Sequence, residues 1–544
     1  MQSDTHPSRQ RYGTPRRRGR IEPLTLMILG SIVIVAVLLL AALTLRGEGP
    51  LSADDRTNGP AAGDRPLRLY CAAGLRQPTQ RILDAYEQAY GVKVELHTHG
   101  SGTLFGQIRT EAKSGAGPDL YLTAEASYAE QGREQGLLKE VIPIGTQRPV
   151  MIVAPGNPKG IASLNDFVDP AKSVNFGIAN EGAAVGVKTR RIADQLGLRE
   201  QLESMRKTEQ ETVIALAEAV KIGALDAAVV WDTTAMMTQG VEVVQTSEPA
   251  FDLGISQISV SVTSVTDRPT EALRLARFIT ARDKGLATYR EVGFSTEAGD
   301  RWDEHPDLVV YCGSMFEPVL ADAIEAFSRR EGVTIRPQWA GCGKLVAQMR
   351  VIDDPSLFPE AYLACDERFL DMVEPQFEGR SIISKNPIVI AVQTSNPFGI
   401  KVPQDLLDPE LRVGVCHPED SALGYLTKQM LSDPTFDGMY ARLEQSKTLE
   451  VDTGPTLVSQ IIAGGLDAVV VYRSNLVANP ANLDKLQIIP IDDAGTGLAL
   501  ASQPWAIAKQ AEHKQLMRRL FETIMSESSA DRFQDAGFIW QPAE

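Results

Sequence analysis

The chain has 544 residues, of which 43% are hydrophobic and 23% are charged. These proportions are those of a globular protein and exclude a wholly disordered chain or a coiled coil, and the length fits roughly two to four domains. The formal net charge of -16 argues against a nucleic-acid-binding protein, because such a protein needs basic surface to neutralise phosphates.

Arginine-rich residues at the N-terminus precede a long uncharged run. Six arginines lie within residues 1–22, and residues 23–45 carry no charge. A helix over that run is long enough to cross a hydrocarbon core of about 30 Å, and it exceeds the roughly 7–15 apolar residues of a secretory signal. Because arginines are retained on the cytoplasmic side, we predict a cytoplasmic tail, one uncleaved helix in the cytoplasmic membrane and an extracytoplasmic remainder. A buried helix of a soluble core is the alternative.

Residues 46–66 are rich in Gly, Pro, Asp and Ala and show no apolar periodicity, so we predict a flexible linker. Residues 1–45 hold six arginines and two acidic residues, and without them the chain has 48 basic and 68 acidic residues and a net charge of -20. A surface of that charge favours solubility and is repelled by anionic lipid.

The rest of the chain is a tandem repeat with an offset of 241 residues at most matched positions. Three matched pairs of segments, in chain order, are 69–71 with 310–312, 100–104 with 341–345, and 225–231 with 466–472. Solenoid repeats are only about 20–50 residues long, so each copy here is a whole domain. We predict domain 1 over residues 67–303 and domain 2 over residues 304–544.

Within each domain, short apolar runs alternate with helical patterns. The predicted strands are 67–71, 92–96, 120–122, 149–153 and 227–231 in domain 1, and 309–312, 333–335, 388–392 and 469–472 in domain 2. Apolar residues three or four apart predict helices around 82–90, 104–108 and 213–220. This alternation is typical of an α/β fold, in which parallel sheets carry helices on both faces.

The loops between these elements are candidates for ligand binding. In open α/β sheets, ligands bind beyond the carboxyl ends of the strands. Small residues fill three such loops of domain 1, at 72–74, 100–103 and 182–186. Small residues expose the backbone N–H groups of the following helix, whose dipole favours an anion. Ordinary tight turns are the alternative for any single loop.

No catalytic motif accompanies these loops. The sequence has no His-Glu-x-x-His and no Gly-x-Ser-x-Gly, and its glycine-rich segments lack the spacing of a dinucleotide or phosphate loop. We therefore expect binding without catalysis, and no cofactor.

Both domains resemble the periplasmic solute-binding proteins of ABC importers with the type 2 fold, and most closely the molybdate- and tungstate-binding branch. The resemblance rests on the segments 72–75, 100–104, 119–125 and 225–231. It implies two α/β lobes per domain, joined by a hinge, that close over an oxyanion held by hydroxyl groups and backbone amides. It also implies an ABC permease as a partner.

The ligand-binding positions of that family transfer to both domains. The implied residues are Gly74, Ser101, Val185, Val213 and Trp231 in domain 1, and Ser314, Cys342, Leu423, Leu457 and Tyr472 in domain 2. In each set the first two stand at serine positions, the next two supply backbone amides and the last stands at a tyrosine position. Domain 1 thus keeps one of three hydroxyl donors and domain 2 keeps two. Each lost donor weakens binding by ~0.5–1.5 kcal/mol, so we expect both sites to bind molybdate more weakly than a site with all three donors.

Four of the five cysteines lie in domain 2, at strand ends or in the loops that follow, so we predict that they face one cleft. They are Cys312, Cys342, Cys365 and Cys416. Three states remain open: disulfides, which are favoured outside the cytoplasm; unpaired buried thiols; and a zinc or copper site with thiolate ligands. Domain 1 has only Cys71, at the position of Cys312.

The sequence thus predicts a membrane-tethered tandem solute-binding protein with one oxyanion site in each domain. Three alternatives remain: a ligand sensor or scavenger that is not coupled to transport, a soft-metal or redox protein that uses the four cysteines, and an exported hydrolase.

Overall fold

The computed structural model describes residues 65–540, apart from Ser247, Asp420 and Lys447. The predicted cytoplasmic tail, the predicted transmembrane helix and nearly all of the predicted linker lie outside the described residues. Within the described part of the chain, no helix is both long and apolar enough to cross a membrane.

Domain 1 contains eleven strands and nine α-helices among its described residues. The strands are β1 (Leu67–Ala72), β2 (Val94–His99), β3 (Leu120–Thr123), β4 (Leu138–Gln147), β5 (Pro149–Val153), β6 (Phe176–Ala179), β7 (Thr208–Gln210), β8 (Ala227–Trp231), β9 (Glu242–Val244), β10 (Ser256–Thr263) and β11 (Ser295–Thr296). The helices are α1 (Arg76–Tyr90), α2 (Ser101–Glu111), α3 (Ala126–Glu134), α4 (Ala184–Leu196), α5 (Arg199–Met205), α6 (Val213–Lys221), α7 (Asp232–Met237), α8 (Pro269–Thr280) and α9 (Gly285–Glu291).

These elements form two lobes, each built around one sheet. The first lobe has a six-stranded sheet in the order β11-β4-β10-β3-β1-β2, and the second has a five-stranded sheet in the order β7-β6-β8-β5-β9. The chain passes to the second lobe between β4 and β5 and returns into β10. On its return to the first lobe the chain forms β10, which runs antiparallel to both β3 and β4. The sheets are therefore mixed, and the prediction of parallel sheets was wrong at these strands.

Domain 2 repeats this order of elements. Its strands are β12 (Asp307–Gly313), β13 (Thr334–Ala340), β14 (Ala361–Leu363), β15 (Phe377–Gln393), β16 (Val413–Cys416), β17 (Thr448–Val451), β18 (Ala468–Tyr472), β19 (Leu486–Pro490), β20 (Leu500–Ala508) and β21 (Ile539–Trp540). Its helices are α10 (Glu317–Glu331), α11 (Cys342–Arg350), α12 (Glu367–Asp371), α13 (Ala422–Ser432), α14 (Tyr440–Glu444), α15 (Gly454–Ile462), α16 (Arg473–Val477), α17 (Lys514–Ile524) and α18 (Glu527–Asp535).

One long strand distinguishes domain 2 from domain 1. β15 pairs with β20 in the first lobe and with β18 and β19 in the second, so that a single sheet extends through both lobes. In domain 1 the corresponding segment is divided into β4 and β5 at Arg148. The connection between the lobes of domain 2 therefore includes continuous strand.

The apolar cores of the two domains are organised differently. In domain 1 the main cluster of buried apolar residues spans both lobes and joins Leu69 of the first lobe with Trp231 of the second, and a smaller cluster around Phe105 lies in the first lobe. In domain 2 the second lobe has a core of its own, around Ile390 and Val470, and the first lobe has separate clusters around Phe316 and Tyr362. The lobes of domain 1 are thus packed together more closely than those of domain 2.

A buried ionic cluster joins the two domains. The Glu331 carboxylate, on α10 of domain 2, accepts hydrogen bonds from Arg519 Nε at 2.7 Å and Arg519 Nη2 at 3.0 Å. Arg277, on α8 of domain 1, lies 3.4 Å from the same carboxylate and donates to the Glu331 carbonyl oxygen. Asp300 of domain 1 accepts hydrogen bonds from the N–H groups of Gln515 and Leu516, in the first turn of α17. These contacts fix domain 1 to the first lobe of domain 2.

Candidate functional site

A cleft lies between the lobes of each domain, beyond the carboxyl ends of the strands. In domain 1 the part of this cleft at the N-terminus of α2 is a cavity of only about 20 Å³. Its lining residues are small or apolar, with two hydroxyls, and comprise Ala72, Ala73, Gly74, Gly100, Ser101, Ala124, Ala183, Ala184, Thr212, Val213 and Trp231.

The corresponding part of the cleft of domain 2 is larger and more polar. Its cavity measures about 300 Å³. The lining residues include hydroxyl, amide and carboxylate side chains and comprise Ser314, Met315, Glu317, Gly341, Cys342, Cys365, Ser421, Ala422, Leu423, Asp452, Thr453, Gly454, Pro455, Tyr472 and Asn475.

The structure brings together eight of the ten residues implied by the resemblance. Four line the first cleft and four line the second: Gly74, Ser101, Val213 and Trp231, and Ser314, Cys342, Leu423 and Tyr472. Val185 is buried in α4, next to the lining residue Ala184, and does not line the first cleft. Leu457 is buried one turn inside α15 and does not line the second.

Two of the paired positions are not equivalent in the structure. The short 3-10 turn after the first strand begins at Ala73 in domain 1 and at Ser314 in domain 2, so Gly74 corresponds to Met315. Likewise α6 begins at Val213 and α15 begins at Gly454. Gly454, rather than Leu457, therefore holds the position whose backbone faces the cleft. The 241-residue offset of the repeat applies at both places and would have identified these residues.

The cleft of domain 1 is closed by a backbone carbonyl of the protein itself. The Gly182 carbonyl oxygen, on the second lobe, accepts hydrogen bonds from the N–H groups of Gly102 at 2.9 Å and Thr103 at 3.3 Å, in the first turn of α2. A Cβ atom at Gly100 would lie 2.4 Å from the same oxygen, so the contact requires glycine there. Helix N-terminal N–H groups are the donors that bind anions in proteins of this architecture. In domain 1 the carbonyl already occupies that position.

A buried ion pair also joins the lobes of domain 1. Lys188 Nζ, on α4 of the second lobe, lies 3.0 Å from Glu125 Oε1 of the first lobe, with side chains 11% and 9% exposed. Glu125 also accepts a hydrogen bond from Ser256, the first residue of β10, where the chain returns to the first lobe. Charges buried to this degree stabilise a structure only when they are paired. Separating the lobes would break the pair.

Side chains fill the space that remains in domain 1. A Cβ atom at Gly74 would lie 3.2 Å from Val213 Cγ2 and 3.6 Å from Trp231 Cδ1, across the interlobe boundary. The Trp231 indole is 2% exposed. At this point the lobes therefore meet at van der Waals distance, which leaves less room than one tetrahedral oxyanion occupies. A larger cavity of about 720 Å³ opens beside it, at Ala73, Thr98 and Thr212.

The same helix end is accessible in domain 2. Nothing lies within 4 Å of a Cβ atom built at Gly341, in contrast to its counterpart Gly100. Among the described residues, no second-lobe carbonyl accepts a hydrogen bond from the first turn of α11. The cavity also meets the first turns of α13, at Ala422 and Leu423, and of α15, at Gly454. Three helix N-termini thus converge on it.

Two polar groups at this cavity lack a protein partner. The Tyr472 hydroxyl is buried, and no described residue accepts or donates a hydrogen bond to it. The side-chain oxygen of Asn475 is likewise unpartnered. Burial, and then the nearby Asp366 carboxylate, hold the pKa of Tyr472 well above its ordinary value, so the hydroxyl keeps its proton and is a donor. An unpaired buried hydroxyl costs roughly 1–3 kcal/mol, and a ligand that accepts its proton would remove that cost.

Carboxylates rather than cations surround the polar groups. Glu317 and Asp452 line the cavity and are exposed, and no lysine or arginine is among the described lining residues. Burial raises the pKa of Asp366, which accepts hydrogen bonds from the N–H groups of Arg368 at 3.1 Å and Ser502 at 3.4 Å. The positive potential in the cleft therefore comes from helix N-termini, and the rim supplies hydrogen-bond acceptors.

The cysteines of domain 2 do not form a four-thiolate site. Cys342 and Cys365 are joined in a disulfide, which removes two of the four ligands. Cys312 lies in a core cluster of the first lobe, and Cys416 lies in the core of the second. Burial raises the pKa of Cys416 to about 12, so this thiol stays protonated. Among the described residues, no group of three or more His, Cys, Asp or Glu side chains is placed to hold a metal ion. The alternative of a metal site at these cysteines is therefore wrong.

Residues 67–295 and 308–539 each match the family described as bacterial extracellular solute-binding protein. The chain belongs to this family and contains two copies of its domain in tandem. Molybdate-binding protein ModA of Mycobacterium tuberculosis is 26% identical over 254 residues, which cover 46% of this chain and 92% of that protein.

Solved structures that are similar include two anion-binding proteins. The periplasmic molybdate-binding protein of Azotobacter vinelandii is 15% identical, covers 42% of this chain and 98% of its own, and has a TM-score of 0.36. The sulfate-binding protein SubI of Mycobacterium tuberculosis is 14% identical, covers 43% and 86% of the two chains, and also has a TM-score of 0.36.

Proposed function

We propose that the protein is an extracytoplasmic solute-binding protein that captures one small oxyanion per chain, in the cleft of domain 2, and performs no catalysis. The observation that carries this proposal is the unpartnered, buried Tyr472 hydroxyl beside a cavity of about 300 Å³ that meets three helix N-termini. The relatedness to molybdate-binding ModA supports an oxyanion as the ligand class.

Domain 1 takes no ligand in this proposal. Its α2 terminus is capped by Gly182, its lobes are joined by Lys188 and Glu125, and the cavity of about 20 Å³ at that terminus is too small for a tetrahedral oxyanion. Binding in domain 2 proceeds by closure of the second lobe, because only the closed state places Tyr472 and the α11 N-terminus on the same anion.

The acceptors at the rim favour a second candidate within the same class, a protonated oxyanion such as hydrogen phosphate. Glu317 and Asp452 repel a fully deprotonated anion but accept a hydrogen bond from one that carries a proton. Molybdate and sulfate carry no proton at neutral pH, so a comparison with phosphate separates the two candidates.

We propose further that a transmembrane helix over residues 23–45 holds the protein at the outer face of the cytoplasmic membrane, followed by a linker over 46–66. Domain 1 then spans 67–303 and domain 2 spans 304–544. An ABC permease is the proposed partner, and a sensor or scavenger without a permease is the alternative that the same cleft would serve.

Calorimetric titration of the full-length protein with molybdate, sulfate and phosphate tests the proposal. We expect saturable binding of at least one anion with a stoichiometry of one per chain. Tyr472→Phe should weaken that binding by ~0.5–1.5 kcal/mol or more, because one hydrogen bond to the ligand is lost. Tyr70→Phe, which removes a hydroxyl bonded to Glu111 in domain 1, is the matched control and should leave the affinity unchanged. Two equivalents per chain, or no effect of Tyr472→Phe, would contradict the assignment to domain 2.

A further inference from the structure

The disulfide of domain 2 lies in the wall of the ligand cleft. Both Cys342 and Cys365 line the cavity, and Cys342 is the first residue of α11, a helix of nine residues. The N–H group of Cys365 donates a hydrogen bond of 2.9 Å to Cys342 Sγ. In domain 1 the N–H group of Ala124 donates in the same way to Ser101 Oγ, at 3.2 Å. The disulfide therefore replaces the serine hydroxyl at the helix end that faces the ligand.

A glycine at position 313 leaves the space that the disulfide occupies. A Cβ atom at Gly313 would lie 2.4 Å from Cys365 Sγ and 3.2 Å from Cys342 Sγ, so any larger residue would displace the sulfurs. The counterpart of Gly313, 241 residues earlier, is Ala72. Three neighbouring positions thus differ together between the domains: domain 2 has Gly313, Cys342 and Cys365 where domain 1 has Ala72, Ser101 and Ala124. Such a coordinated set indicates a specific role for the sulfurs in the domain whose cleft is open.

The chemistry of a reduced Cys342 follows from its place in the fold. A thiol at a helix N-terminus ionises readily, because the terminal N–H groups and the helix dipole stabilise the thiolate. These are the groups that a bound oxyanion would use. In domain 1 they are occupied by the Gly182 carbonyl oxygen, which shows that an internal acceptor fits there.

We propose that the Cys342–Cys365 disulfide is a thiol-exchange site inside the ligand cleft, and that its reduction by a small dithiol blocks anion binding because the Cys342 thiolate takes the anion's place at the N-terminus of α11. The second part of this proposal rests on the proposed function. Exchange begins at Cys365, which is 7% exposed, whereas Cys342 is 1% exposed.

The exchange is a two-electron reduction. One thiolate of the dithiol bonds to Cys365 Sγ, and the Cys342–Cys365 bond breaks with Cys342 leaving as a thiolate. The second sulfur of the dithiol then displaces Cys365, which takes up a proton, and the reductant becomes an intramolecular disulfide. The other proton of the dithiol goes to solvent, since Cys342 stays ionised.

The test compares oxidised and reduced full-length protein. Dithiothreitol is the reductant, thiol counting confirms that two thiols appear, and circular dichroism confirms that the fold persists. We expect the affinity for the anion bound in the oxidised state to fall by about tenfold or more on reduction. In the Cys342→Ser/Cys365→Ala variant, which installs the residues of domain 1, the affinity for the anion should be the same with and without dithiothreitol, whatever its value. Cys71→Ala, a buried cysteine of domain 1, should retain the response of the unaltered protein.

Two outcomes overturn the proposal, and they are separable from failure of the proposed function. Equal affinities of oxidised and fully reduced protein for the anion would show that reduction does not block binding. If the oxidised protein binds none of the three anions, the proposed function fails, and the thiol-exchange site is judged by alkylation alone. The rate of iodoacetamide modification of Cys342, followed by mass spectrometry against pH, should then give a thiolate pKa below the ordinary value of about 8.5. An ordinary or raised value overturns the site itself.

Discussion

Lys188 and Glu125 form a buried ion pair of 3.0 Å that joins the two lobes of domain 1. Removing one partner of such a pair leaves an uncompensated buried charge. We expect Lys188→Met to lower the free energy of unfolding of the full-length protein by about 3–5 kcal/mol, measured by urea denaturation.

An exposed ion pair offers a matched control for that change. Lys221 lies 3.0 Å from Glu218, with side chains 42% and 49% exposed. We expect Lys221→Met to change the free energy of unfolding by no more than about 0.5 kcal/mol, since exposed pairs are worth little. Similar losses in the two variants would show that Lys188 does not hold the lobes together.

Gly454 permits the open cleft of domain 2, where domain 1 has Val213. A Cβ atom at Gly454 would lie 2.2 Å from Asn475 Oδ1, and a valine would extend further into the cavity. We expect Gly454→Val to abolish calorimetrically detectable anion binding while circular dichroism shows a folded protein. Gly106→Ala adds a methyl group that meets nothing within 4 Å in domain 1, and this variant should bind normally. Unchanged binding by Gly454→Val would place the ligand elsewhere.

Glu331 should make the stability of the protein sensitive to acid. Its burial acts to raise the pKa of the carboxyl, but the Arg519 and Arg277 guanidinium groups outweigh burial and hold the pKa below its ordinary value. The resulting stabilisation is fully present above the pKa of unfolded glutamate, about 4.3, and is lost as the pH falls through the lower pKa of the folded state. Unfolding followed from pH 7 to pH 3 should show this loss in the unaltered protein and a smaller one in Glu331→Gln.

The two domains should fold as separate chains. Glu331 keeps both hydrogen bonds to Arg519 within domain 2, whereas Arg277 loses its buried partner when domain 1 is expressed alone. Separation exposes Arg277 to water, so it leaves no buried unpaired charge in residues 67–303. We expect cooperative thermal unfolding by circular dichroism for both 67–303 and 304–544. Absence of a cooperative transition in both halves would refute the domain division.

The repeat made much of the fold predictable from sequence. The predicted strand at 227–231 has the bounds of β8, and the runs at 67–71 and 120–122 each end one residue short of β1 and β3. Apolar runs reveal such strands because both faces are buried. The first part of β15 escaped prediction because Ser384, Lys385 and Asn386 interrupt its apolar pattern. Those residues instead pair with β20, and the Ser384 hydroxyl donates to Gln503.

Whether each cleft is open or closed could not be predicted from the sequence. The closure of domain 1 depends on a carbonyl of Gly182, and every residue has a carbonyl, so no side chain marks it. The resemblance to the family implied a binding site in each domain from the hydroxyl donors that each retains. In the structure the two clefts differ instead in the space at the helix N-terminus. The pairing of Cys342 with Cys365 was one of three states left open, because sequence fixes no distance between sulfurs.

The capped, ion-paired cleft of domain 1 has a consequence for measuring motion in domain 2. One polypeptide carries the same two-lobe fold twice, once shut by its own groups and once with space for a ligand. A pair of spectroscopic labels on the lobes of domain 1 would report a constant distance, and an equivalent pair on domain 2 would report a longer one that shortens when anion is added. The label distance in domain 1 therefore serves as an internal reference for lobe closure in domain 2, recorded in the same sample and under the same conditions.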